Sequence, residues 1–381
     1  MCIASATLVN LAPRHALFWE RRPASWNMPS RSTACLVIGG AGNLGGFIVR
    51  TLLDRKYTVS SFDLVPYGGH GAESVKSHTG DVTDQAALEA AMAGIQIVFH
   101  VASIIDIRPI PTLKMTHVNV SGTVAVIAAA KAAKVGSLIY TASLEVVSGV
   151  DEHGVARKLD GVDESTPIPA RHHLPYATTK AYAERLVLAA DSSELRTCSI
   201  RPGYIMGAGA IGLRMEMIRA SQRSGYYVTA RVPATISTVH PQNCALMHVM
   251  AAEQIAKPDV HGHAFFCRDF EANVVEMALE AFESTPIKPA LMPLSVAYLI
   301  AWILDRLERC LIWLYTLFGR TRVTSDEVLD IQAVGMAYID IIVSDKRGRQ
   351  VLGYQPVVDR AACMAEAGSW CRQFYAKLMS K

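Results

Sequence analysis

The sequence lacks the features that mark several common classes of protein. Its eight cysteines form no CxxC pair, and the histidines at 172–173 and 261–263 have no partners at ligand spacing, so we expect no bound metal. The net charge is only +3 and no basic run with interleaved aromatic residues occurs, so we expect no nucleic-acid partner. Even the strongly apolar stretch at residues 295–318 has no uncharged run of about 18 residues, the usual length of a membrane-spanning helix.

The first 30 residues lack the basic start and the continuous apolar core of a secretory signal. They contain Arg14, Arg21 and Arg22 against a single acid, Glu20, together with serines and prolines. We interpret residues 1–30 as an N-terminal extension that is either disordered or an organelle-targeting segment. A start of translation at Met28 is a further alternative.

A glycine-rich turn near residue 40 organises the rest of the chain. An apolar run at residues 34–38 leads into Gly39, Gly42 and Gly45, and a helical pattern of apolar residues follows. Because these glycines have no Cβ atom, the backbone can bend sharply and admit a phosphate, which the free N–H groups of the new helix then face. The pattern indicates a strand, a tight turn and a helix that together bind a dinucleotide.

The next predicted strand ends in an acidic residue that indicates which dinucleotide binds, NAD or NADP. Asp63 lies 18 residues after Gly45, close to where a dinucleotide-binding fold places the carboxylate that holds the adenosine ribose. This carboxylate would repel the 2′-phosphate of NADP, and the following Leu64 and Val65 supply no arginine to bind that phosphate. We therefore predict NAD as the cofactor.

Strand and helix signals then alternate regularly along the chain. This order predicts an α/β fold with a doubly wound parallel (Rossmann) sheet and a smaller C-terminal substrate lobe. We assign residues 31–203 to the NAD-binding domain, with a return at 236–255 where Asn243 is expected to cap a helix, and residues 204–381 to the lobe. The predicted strands of the sheet occupy residues 34–38, 57–63, 75–80, 95–101, 137–142 and 196–200.

A tyrosine and a lysine four residues apart indicate the chemistry. Pro175 favours a helix start, so Tyr176 and Lys180 are expected to stack on one face of that helix. A nearby ammonium lowers the pKa of a phenol from its ordinary value of about 10, so the phenol can exchange a proton with an alcohol near neutral pH. Ser143, at the end of the fifth strand, is expected to bind the same oxygen. The pattern indicates hydride transfer between an alcohol and a ketone.

These motifs together resemble the extended short-chain dehydrogenases, and within them the 3β-hydroxysteroid dehydrogenase/isomerase group. The resemblance runs from about residue 34 to residue 375. It implies a catalytic triad of Ser143, Tyr176 and Lys180, with Asn119 as a further catalytic candidate that orders its helix or a relay water. The segments that carry the resemblance include residues 139–147, 239–248, 344–346 and 352–356. The residues expected to bind the cofactor are Gly39, Gly42, Asn43, Leu44, Gly45, Asp63, Asp81, Val82, Val101, Ala102, Tyr176, Lys180 and Pro202.

The resemblance implies NAD-dependent oxidation of the 3β-hydroxyl of a steroid or sterol. Isomerisation from the Δ5 to the Δ4 alkene stays open, because the sequence shows no second acid–base pair. The alternatives are a decarboxylating sterol-4α-carboxylate 3-dehydrogenase, an NADPH-dependent reductase of phenylpropanoid or flavonoid carbonyls, and a non-catalytic NAD-binding regulator. Asp63 argues against the NADPH-dependent reductase, and the intact triad argues against the regulator. A homodimer is left open.

Residues 295–318 predict an amphipathic helix that lies on a membrane surface. On a helical projection, four charges (Asp305, Arg306, Glu308 and Arg309) fall on one side with Tyr298, Trp302, Trp313 and Thr316. The opposite side carries no charge and consists of Val296, Ile300, Ile303, Leu307, Leu311, Leu314 and Phe318. Such a helix binds the interfacial region of a bilayer. The alternatives are packing on the lobe's own core or at a dimer interface. The implied location is the cytosolic face of the endoplasmic reticulum membrane, or a mitochondrial or plastid membrane if the N-terminal extension is a targeting peptide.

Overall fold

The computed structural model describes residues 33–106, 112–222, 225–317 and 339–380. The expectations for the N-terminal extension, residues 1–30, lie outside the described residues, as does the place of Phe318. Within the helix at the end of the third range, the side chains of several residues are likewise outside the description, among them Asp305, Glu308 and Arg309.

Strands and helices alternate through the described chain. The strands are β1 (Ala34–Ile38), β2 (Thr58–Asp63), β3 (Val75–Thr79), β4 (Ile97–His100), β5 (Ser137–Thr141), β6 (Leu159–Val162), β7 (Arg196–Pro202), β8 (Tyr204–Ile205), β9 (Tyr226–Ala230), β10 (Ile236–Val239), β11 (His263–Cys267), β12 (Phe270–Ala272), β13 (Lys288–Met292) and β14 (Ile341–Val343). The helices are α1 (Asn43–Asp54), α2 (Gln85–Met92), α3 (Leu113–Thr116), α4 (Gly122–Ala132), α5 (Pro175–Ala189), α6 (Ile211–Gln222), α7 (Pro241–Glu253), α8 (Val274–Phe282), α9 (Leu294–Leu317) and α10 (Arg360–Met379).

The central sheet has the order β11-β7-β5-β4-β1-β2-β3, and each neighbouring pair of strands is parallel. The chain leaves β1 towards β2 and β3, then returns to place β4 on the other side of β1. The predicted doubly wound parallel sheet is therefore confirmed. The reversal between β1 and β4 opens a crevice at the carboxyl ends of these strands, which is where such sheets bind ligands.

Two layers of helices bury the two faces of the sheet. Helices α1 and α7 pack against each other and against one face, with Ile48 and Met247 fully buried there. Helices α2, α4 and α5 cover the other face, with Leu88 and Val126 fully buried. Because both faces are covered, the strands read as continuous apolar runs such as residues 35–38, all of them buried.

The start of α7 differs from the sequence-based expectation. The N-cap is His240, whose ring nitrogen accepts a hydrogen bond from the Gln242 N–H at 3.1 Å. Asn243 does not cap this helix. Its amide is fully buried and donates to a carboxylate oxygen of Asp269 and to the carbonyl of Val358, each at 2.7 Å. The residue therefore ties α7 to two distant segments, which sequence spacing could not reveal.

The C-terminal half interleaves with the sheet before forming a separate cluster. Strand β11, at residues 263–267, is the outermost strand of the central sheet beside β7. A smaller sheet of order β12-β10-β14-β6 lies apart from it, with β8 paired to β10. The lobe itself has its own apolar core, formed by α6, α8 and α10 together with buried Tyr227 and Ile287.

Helix α9 follows the two-stranded pair of β9 and β13. It contacts β9 and buries the small side chains Ala297 and Ala301. Its large apolar side chains Ile300, Ile303 and Leu307 are exposed. None of the described helices, α9 included, combines the length and apolar character needed to cross a bilayer.

Candidate active site

The glycine turn after β1 has the geometry that its sequence predicts. Gly39 has φ of +88°, and a Cβ atom there would lie 2.7 Å from the backbone nitrogen of Ala102. A Cβ atom on Gly45 would lie 2.0 Å from the carbonyl oxygen of Gly39. Backbone therefore packs directly on backbone at both positions, and only glycine fits. The turn leaves a cradle of backbone groups beside the end of β4.

The first turn of α1 presents backbone N–H groups to this cradle. Gly42 is the N-cap and carries no side chain that could accept from them. The side-chain amide of Asn43 donates to the carbonyl of Ala208 at 2.9 Å, and Leu44 is buried. The parts of these two residues left to contact a phosphate are therefore their N–H groups, at the positive end of the helix dipole.

Asp63 closes the same cradle from the end of β2. One carboxylate oxygen accepts from the Ala41 N–H at 3.0 Å, and the other accepts from the Leu64 N–H at 2.7 Å. Burial raises the pKa of the Asp63 carboxyl, and the two backbone hydrogen bonds oppose that rise. The carboxylate is thus fixed beside the glycine turn, where the sequence predicts contact with the adenosine ribose.

Asp81 and Val82 follow β3 at the same edge of the sheet. Asp81 is exposed, and one of its oxygens accepts from the N–H of Thr83 at 2.9 Å and from its hydroxyl at 2.8 Å. These bonds lower the pKa of the Asp81 carboxyl and leave its second oxygen outside them. Val82 is buried against Gly122, where a Cβ atom would lie 2.8 Å from it.

The remaining predicted cofactor residues lie at the carboxyl edge of the sheet, and they are Val101, Ala102 and Pro202. The N–H groups of Val101 and Ala102 both donate to the carbonyl of Ile38 at 2.9 Å, which fixes the chain after β4 against the glycine turn. Pro202 is the last residue of β7. The structure therefore brings the predicted cofactor residues to the carboxyl ends of β1 to β4 and β7. The backbone cradle at the glycine turn would be filled by any Cβ atom, and Asp63 is anchored beside it. Both features fit a dinucleotide.

Ser143 and Tyr176 meet at this edge. Ser143 follows β5, and its hydroxyl oxygen accepts from the Glu145 N–H at 3.2 Å. Tyr176 lies in the first turn of α5 and is buried, and the side chains of Ser143 and Ser103 are close enough to lower the pKa of its phenol. Sequence reasoning missed Ser103. Its position directly after β4, at the carboxyl edge of the sheet, was the signal that could have identified it.

The expected lowering of the Tyr176 pKa is wrong for the structure described. Burial is the largest effect and raises the pKa of the phenol, and the negative charge of Glu145 raises it further. Hydrogen bonds to Ser143 and Ser103 lower it by less. The free energy lost when a phenolate leaves water exceeds the stabilisation that two neutral hydroxyl groups provide. The Tyr176 hydroxyl is therefore held in its neutral form.

Lys180 lies on the same helix face as Tyr176, and its amine contacts the end of β5. It donates to the carbonyl of Thr141 and lies 4.5 Å from the centre of the Tyr140 ring. The side chain is fully buried, and this burial lowers the pKa of Lys180 to about 7. The i to i+4 spacing correctly predicts a shared face, but the longer side chain crosses to the end of β5.

Asn119 is buried in a short π-helical turn, His117–Ser121. Its amide oxygen accepts from the Ile104 N–H at 2.7 Å, and its NH₂ group donates to the Ile104 carbonyl and to the Thr179 hydroxyl, each at 3.0 Å. Both donor hydrogens are therefore engaged. Asn119 joins the loop that carries Ser103 to helix α5, which orders the site around Tyr176.

A buried ion pair anchors the catalytic helix to the sheet. Glu184 is one turn beyond Lys180, and its carboxylate accepts from Arg201 of β7 at 3.0 and 2.8 Å in a bidentate arrangement. The hydroxyl of Ser199 donates to the same carboxylate at 2.6 Å. Since Tyr176, Lys180 and Glu184 share one face, this pair fixes the rotation of α5 and hence the direction of both candidate catalytic side chains.

Comparison with known proteins gives a consistent result. A sequence model of the 3-beta hydroxysteroid dehydrogenase/isomerase family matches residues 36–288. The 3 beta-hydroxysteroid dehydrogenase/Delta 5-->4-isomerase of Mycobacterium tuberculosis is 29% identical over 95% of each chain. The human 3 beta-hydroxysteroid dehydrogenase type 7 is 32% identical over 84% of this chain and 91% of its own. A 2-alkyl-3-oxoalkanoate reductase of Shewanella oneidensis is 30% identical over 74% of this chain and 75% of its own.

Solved structures show the same fold at lower identity. A dTDP-glucose 4,6-dehydratase of Streptomyces venezuelae superposes with a TM-score of 0.67 at 18% identity, covering 91% of this chain and 98% of its own. A UDP-glucose 4-epimerase of Bifidobacterium longum superposes with a TM-score of 0.66 at 20% identity, covering 89% and 98%. At these identities the likeness concerns the fold.

Proposed function

The chain belongs to the 3-beta hydroxysteroid dehydrogenase/isomerase family, and from that premise we propose that it oxidises the 3β-hydroxyl of a steroid or sterol to the ketone with NAD. The observation that carries this proposal is the cluster of the Tyr176, Ser143 and Ser103 hydroxyl groups at the same edge of the sheet as the glycine cradle. A neutral phenol with two neighbouring hydroxyls is suited to bind one oxygen atom and to move a proton to or from it.

The cofactor residues divide the dinucleotide between them. The backbone of Gly39, Gly42 and Gly45 receives the pyrophosphate, and Asp63 receives the adenosine ribose and excludes a 2′-phosphate. Bound NAD supplies the acceptor for the hydride of the alcohol carbon. Several solved structures with this fold contain bound NAD, which supports the same choice here.

The chain's own side chains handle the substrate oxygen. Ser143 and Tyr176 hold that oxygen by hydrogen bonds, and Tyr176 takes its proton during oxidation or returns it during reduction. Because burial keeps the phenol neutral in the free protein, ionisation needs a nearby positive charge. Lys180, on the same face of α5, supplies that charge in its ammonium form.

A second candidate is supported by the relatives named 2-alkyl-3-oxoalkanoate reductase. In a 2-alkyl-3-oxoalkanoate, the ketone carbon is bonded to the carbon atom that carries the carboxylate. The 3-ketone of a sterol-4α-carboxylate has the same arrangement, so the decarboxylating 3-dehydrogenase and these reductases share one functional group. Ser143, Tyr176 and Lys180 would act identically in both, and only the product distinguishes them.

The test is a steady-state assay of the purified chain with NAD. The panel contains 3β-hydroxysteroids, their 4α-carboxylates and 2-alkyl-3-hydroxyalkanoates, and NADH formation and product mass are followed together. We expect turnover of a 3β-hydroxysteroid, with a loss of about 10²-fold or more in kcat for Tyr176→Phe. Turnover of the alkanoates alone would favour the second candidate, and no NADH from any compound would remove both.

We also propose that α9 binds a membrane surface from which the substrate is delivered. Its small residues Ala297 and Ala301 face the lobe, whereas Ile300, Ile303 and Leu307 are exposed. This exposure argues against packing on the lobe's own core. The Arg306 guanidinium lies 5.5 Å from the Trp302 ring centre, a cation and aromatic pair suited to the headgroup region. The location we propose is the cytosolic face of the endoplasmic reticulum membrane.

Co-sedimentation with phosphatidylcholine vesicles tests this attachment. We expect the chain to sediment with the vesicles and the variant carrying Ile303→Asp and Leu307→Asp to stay in solution. Leu113→Asp, at a side chain that is 91% exposed on another helix, is the matched control and should sediment like the parent. A parent that stays in solution as a dimer, and becomes a monomer with the two substitutions, would assign this face to self-association instead. Fractionation of expressing cells tests the location.

A further inference from the structure

One side chain of the cofactor cradle reaches into the second half of the chain. Asn43 is the first residue of α1, among the N–H groups that face a phosphate. Its side-chain amide donates to the carbonyl of Ala208 at 2.9 Å, across 165 positions of sequence. The cradle is therefore joined directly to loop 206–210, the segment that connects β8 to α6.

Loop 206–210 belongs to the apolar core of the lobe. Met206 and Ala210 are buried in the same cluster as Met217 of α6. That cluster also contains Cys363 of α10, whose thiol donates to the Met206 carbonyl at 3.3 Å. Because a closely packed core transmits a displacement rather than absorbing it, a shift of this loop would disturb the packing of both helices.

The backbone bonds of the loop lie at its two ends. The Met206 N–H donates to the carbonyl of Val239 at 3.0 Å, and the Ala210 N–H donates to the carbonyl of Gly207 at 3.2 Å. The Asn43 amide binds between these two points, at Ala208. A segment with few backbone bonds of its own takes its position from the side chains that contact it.

Asn43 and the C-terminal helix meet at the middle of the loop. A Cβ atom on Gly209 would lie 3.1 Å from Asn43 Nδ2 and 3.8 Å from the indole nitrogen of Trp370 in α10. One turn earlier in α10, Glu366 Oε2 lies 3.2 Å from Nε2 of His240, the N-cap of α7. The loop thus lies beside the start of α1 on the cofactor side and beside α10 on the lobe side.

The position of this amide suits it to transmit the binding of a dinucleotide. Occupation of the N–H groups at residues 42–44 restricts the first turn of α1, and the Asn43 side chain with it. A donor that has already lost its freedom holds its acceptor at a smaller entropic cost. Such a coupling is reciprocal, so a lobe ordered by substrate would favour the occupied cradle in turn.

We propose that Asn43 is a positioning residue that couples the binding of NAD to the order of the second lobe. When the cradle is occupied, the first turn of α1 is held, the Asn43 amide holds Ala208, and loop 206–210 holds α6 and α10. This inference rests on the proposed function, in which that lobe surrounds the substrate. The substrate then binds more tightly to the NAD-bound protein than to the free protein, and the difference depends on Asn43.

Hydrogen–deuterium exchange measured by mass spectrometry tests the coupling without a substrate. Exchange is compared with and without NAD in peptides that cover the cradle and, separately, in peptides that cover loop 206–210. In the wild type we expect NAD to slow exchange in both. In Asn43→Ala we expect slower exchange at the cradle alone, because the donor to Ala208 is missing.

Two further variants separate the hydrogen bond from other effects. Asn43→Leu keeps the approximate shape of the side chain without its donor, and it should behave like Asn43→Ala. Arg50→Ala is the matched control on the same helix, because the ion pair of Arg50 with Asp54 lies at the surface. This variant should behave like the wild type.

Equilibrium dialysis of the 3-oxosteroid product measures the consequence for the substrate site. NAD and the ketone do not react with each other, so the affinity for the ketone can be compared with and without NAD. In the wild type we expect NAD to raise this affinity about fivefold or more, which is the lower end of usual couplings between sites. In Asn43→Ala the ratio should fall close to one.

The outcomes separate this inference from the proposed function. Protection of the cradle without protection of the loop in the wild type would overturn the inference and leave the function intact. So would equal loop protection, or an equal ketone ratio, in the wild type and in either Asn43 variant. A variant whose own cradle is no longer protected would show that Asn43 binds NAD rather than transmits its binding, which also overturns the inference. An unprotected cradle in the wild type, with no NADH from any 3β-hydroxysteroid, would instead overturn the proposed function.

Discussion

At the scale of single residues, burial controls the chemistry of the site more strongly than spacing does. The Tyr176 phenol and the Glu145 carboxyl both lose water, and both pKa values rise. The Lys180 ammonium loses water too, and its pKa falls to about 7. Each neutral form is favoured for the same reason, because a charge is poorly solvated in a low-dielectric interior. In the free protein, burial thus shifts the phenol, the carboxyl group and the amine of this site towards their uncharged forms.

The raised pKa of Glu145 predicts a pH-dependent effect on stability. Between the ordinary carboxyl pKa of about 4.3 and the Glu145 pKa of about 7 in the folded protein, the folded protein binds more protons than the unfolded chain. Its stability from this group therefore falls as pH rises through that window. Relative to wild type, Glu145→Gln should gain about 1–3 kcal/mol in unfolding free energy between pH 5 and pH 7.5. Urea denaturation at both pH values measures this, and a pH-independent difference would contradict it.

The glycine turn gives a second prediction at this scale. A Cβ atom at Gly45 would lie 2.0 Å from the Gly39 carbonyl oxygen, a distance that only movement of the backbone can relieve. We expect Gly45→Ala to lose about 1–3 kcal/mol of stability and to weaken NAD binding at the same time. Gly68→Ala is the matched control, because nothing lies within 4 Å of a Cβ atom there. Thermal unfolding and NAD titration of both variants decide the matter, and a Gly45→Ala variant that matches its control would refute the argument.

At the scale of elements, helix α5 determines the direction of the side chains that we propose as catalytic. Its N-terminal turn carries Tyr176, its middle carries Lys180, and the buried pair of Glu184 and Arg201 fixes it to β7. The side chains of this pair are 0% and 5% exposed. Charges so deeply buried are stable only as a pair, because each partner replaces the water that the other has lost.

Removing one charge of this pair should destabilise the protein more than removing both. Glu184→Gln leaves Arg201 buried without a counter-charge, and we expect it to cost about 3–5 kcal/mol of stability. The double variant with Glu184→Met and Arg201→Met should be more stable than either single variant, since no charge remains buried. Glu216→Gln, in the exposed pair with Arg219, is the control and should cost no more than about 1 kcal/mol. Chemical denaturation of the wild type, the two Glu→Gln variants, the two single Met variants and the double variant checks this, and additive costs in the double variant would refute it.

At the scale of the whole molecule, the site is assembled from distant parts of the chain. The cofactor edge draws on β1, β2, β4, α5 and β7, which span residues 34 to 202. The sheet that aligns these elements is completed only by β11, at residues 263–267. The second lobe and α9 follow later in the chain. Formation of the cofactor site therefore depends on global folding rather than on any local segment.

Ligand binding should consequently stabilise the entire fold. At a concentration about 100 times its dissociation constant, NAD is expected to raise the unfolding free energy by about 2.7 kcal/mol through mass action. NADP at the same concentration should raise it much less, because its 2′-phosphate meets the Asp63 carboxylate. A thermal-shift assay compares the two cofactors, and Asp63→Asn provides the variant in which the difference should shrink. Equal shifts with wild-type protein would contradict the assignment of NAD.

Local patterns determined much of this architecture. Apolar runs such as residues 34–38 specify buried parallel strands, and glycines at three-residue spacing specify the turn, because both signals act within a few residues. Asp84 is followed by a helix at Gln85–Met92 and accepts from the Ala87 N–H at 3.0 Å, as a capping residue should. These features depend on bonds and contacts between near neighbours in the chain, so sequence alone predicts them.

Only the tertiary structure decided the electrostatics of the site. Ser103 and Glu145 lie far from Tyr176 along the chain, and only the packed fold brings them close enough to change the pKa of its phenol. The direction of the Lys180 ammonium and the rise in the Tyr176 pKa depend on how much water the surrounding elements exclude. The sequence by itself therefore determined the fold and the edge of the sheet where the candidate catalytic side chains lie. Their protonation, and the carboxyl group that accompanies them, were decided by burial, which exists only once distant segments have packed together.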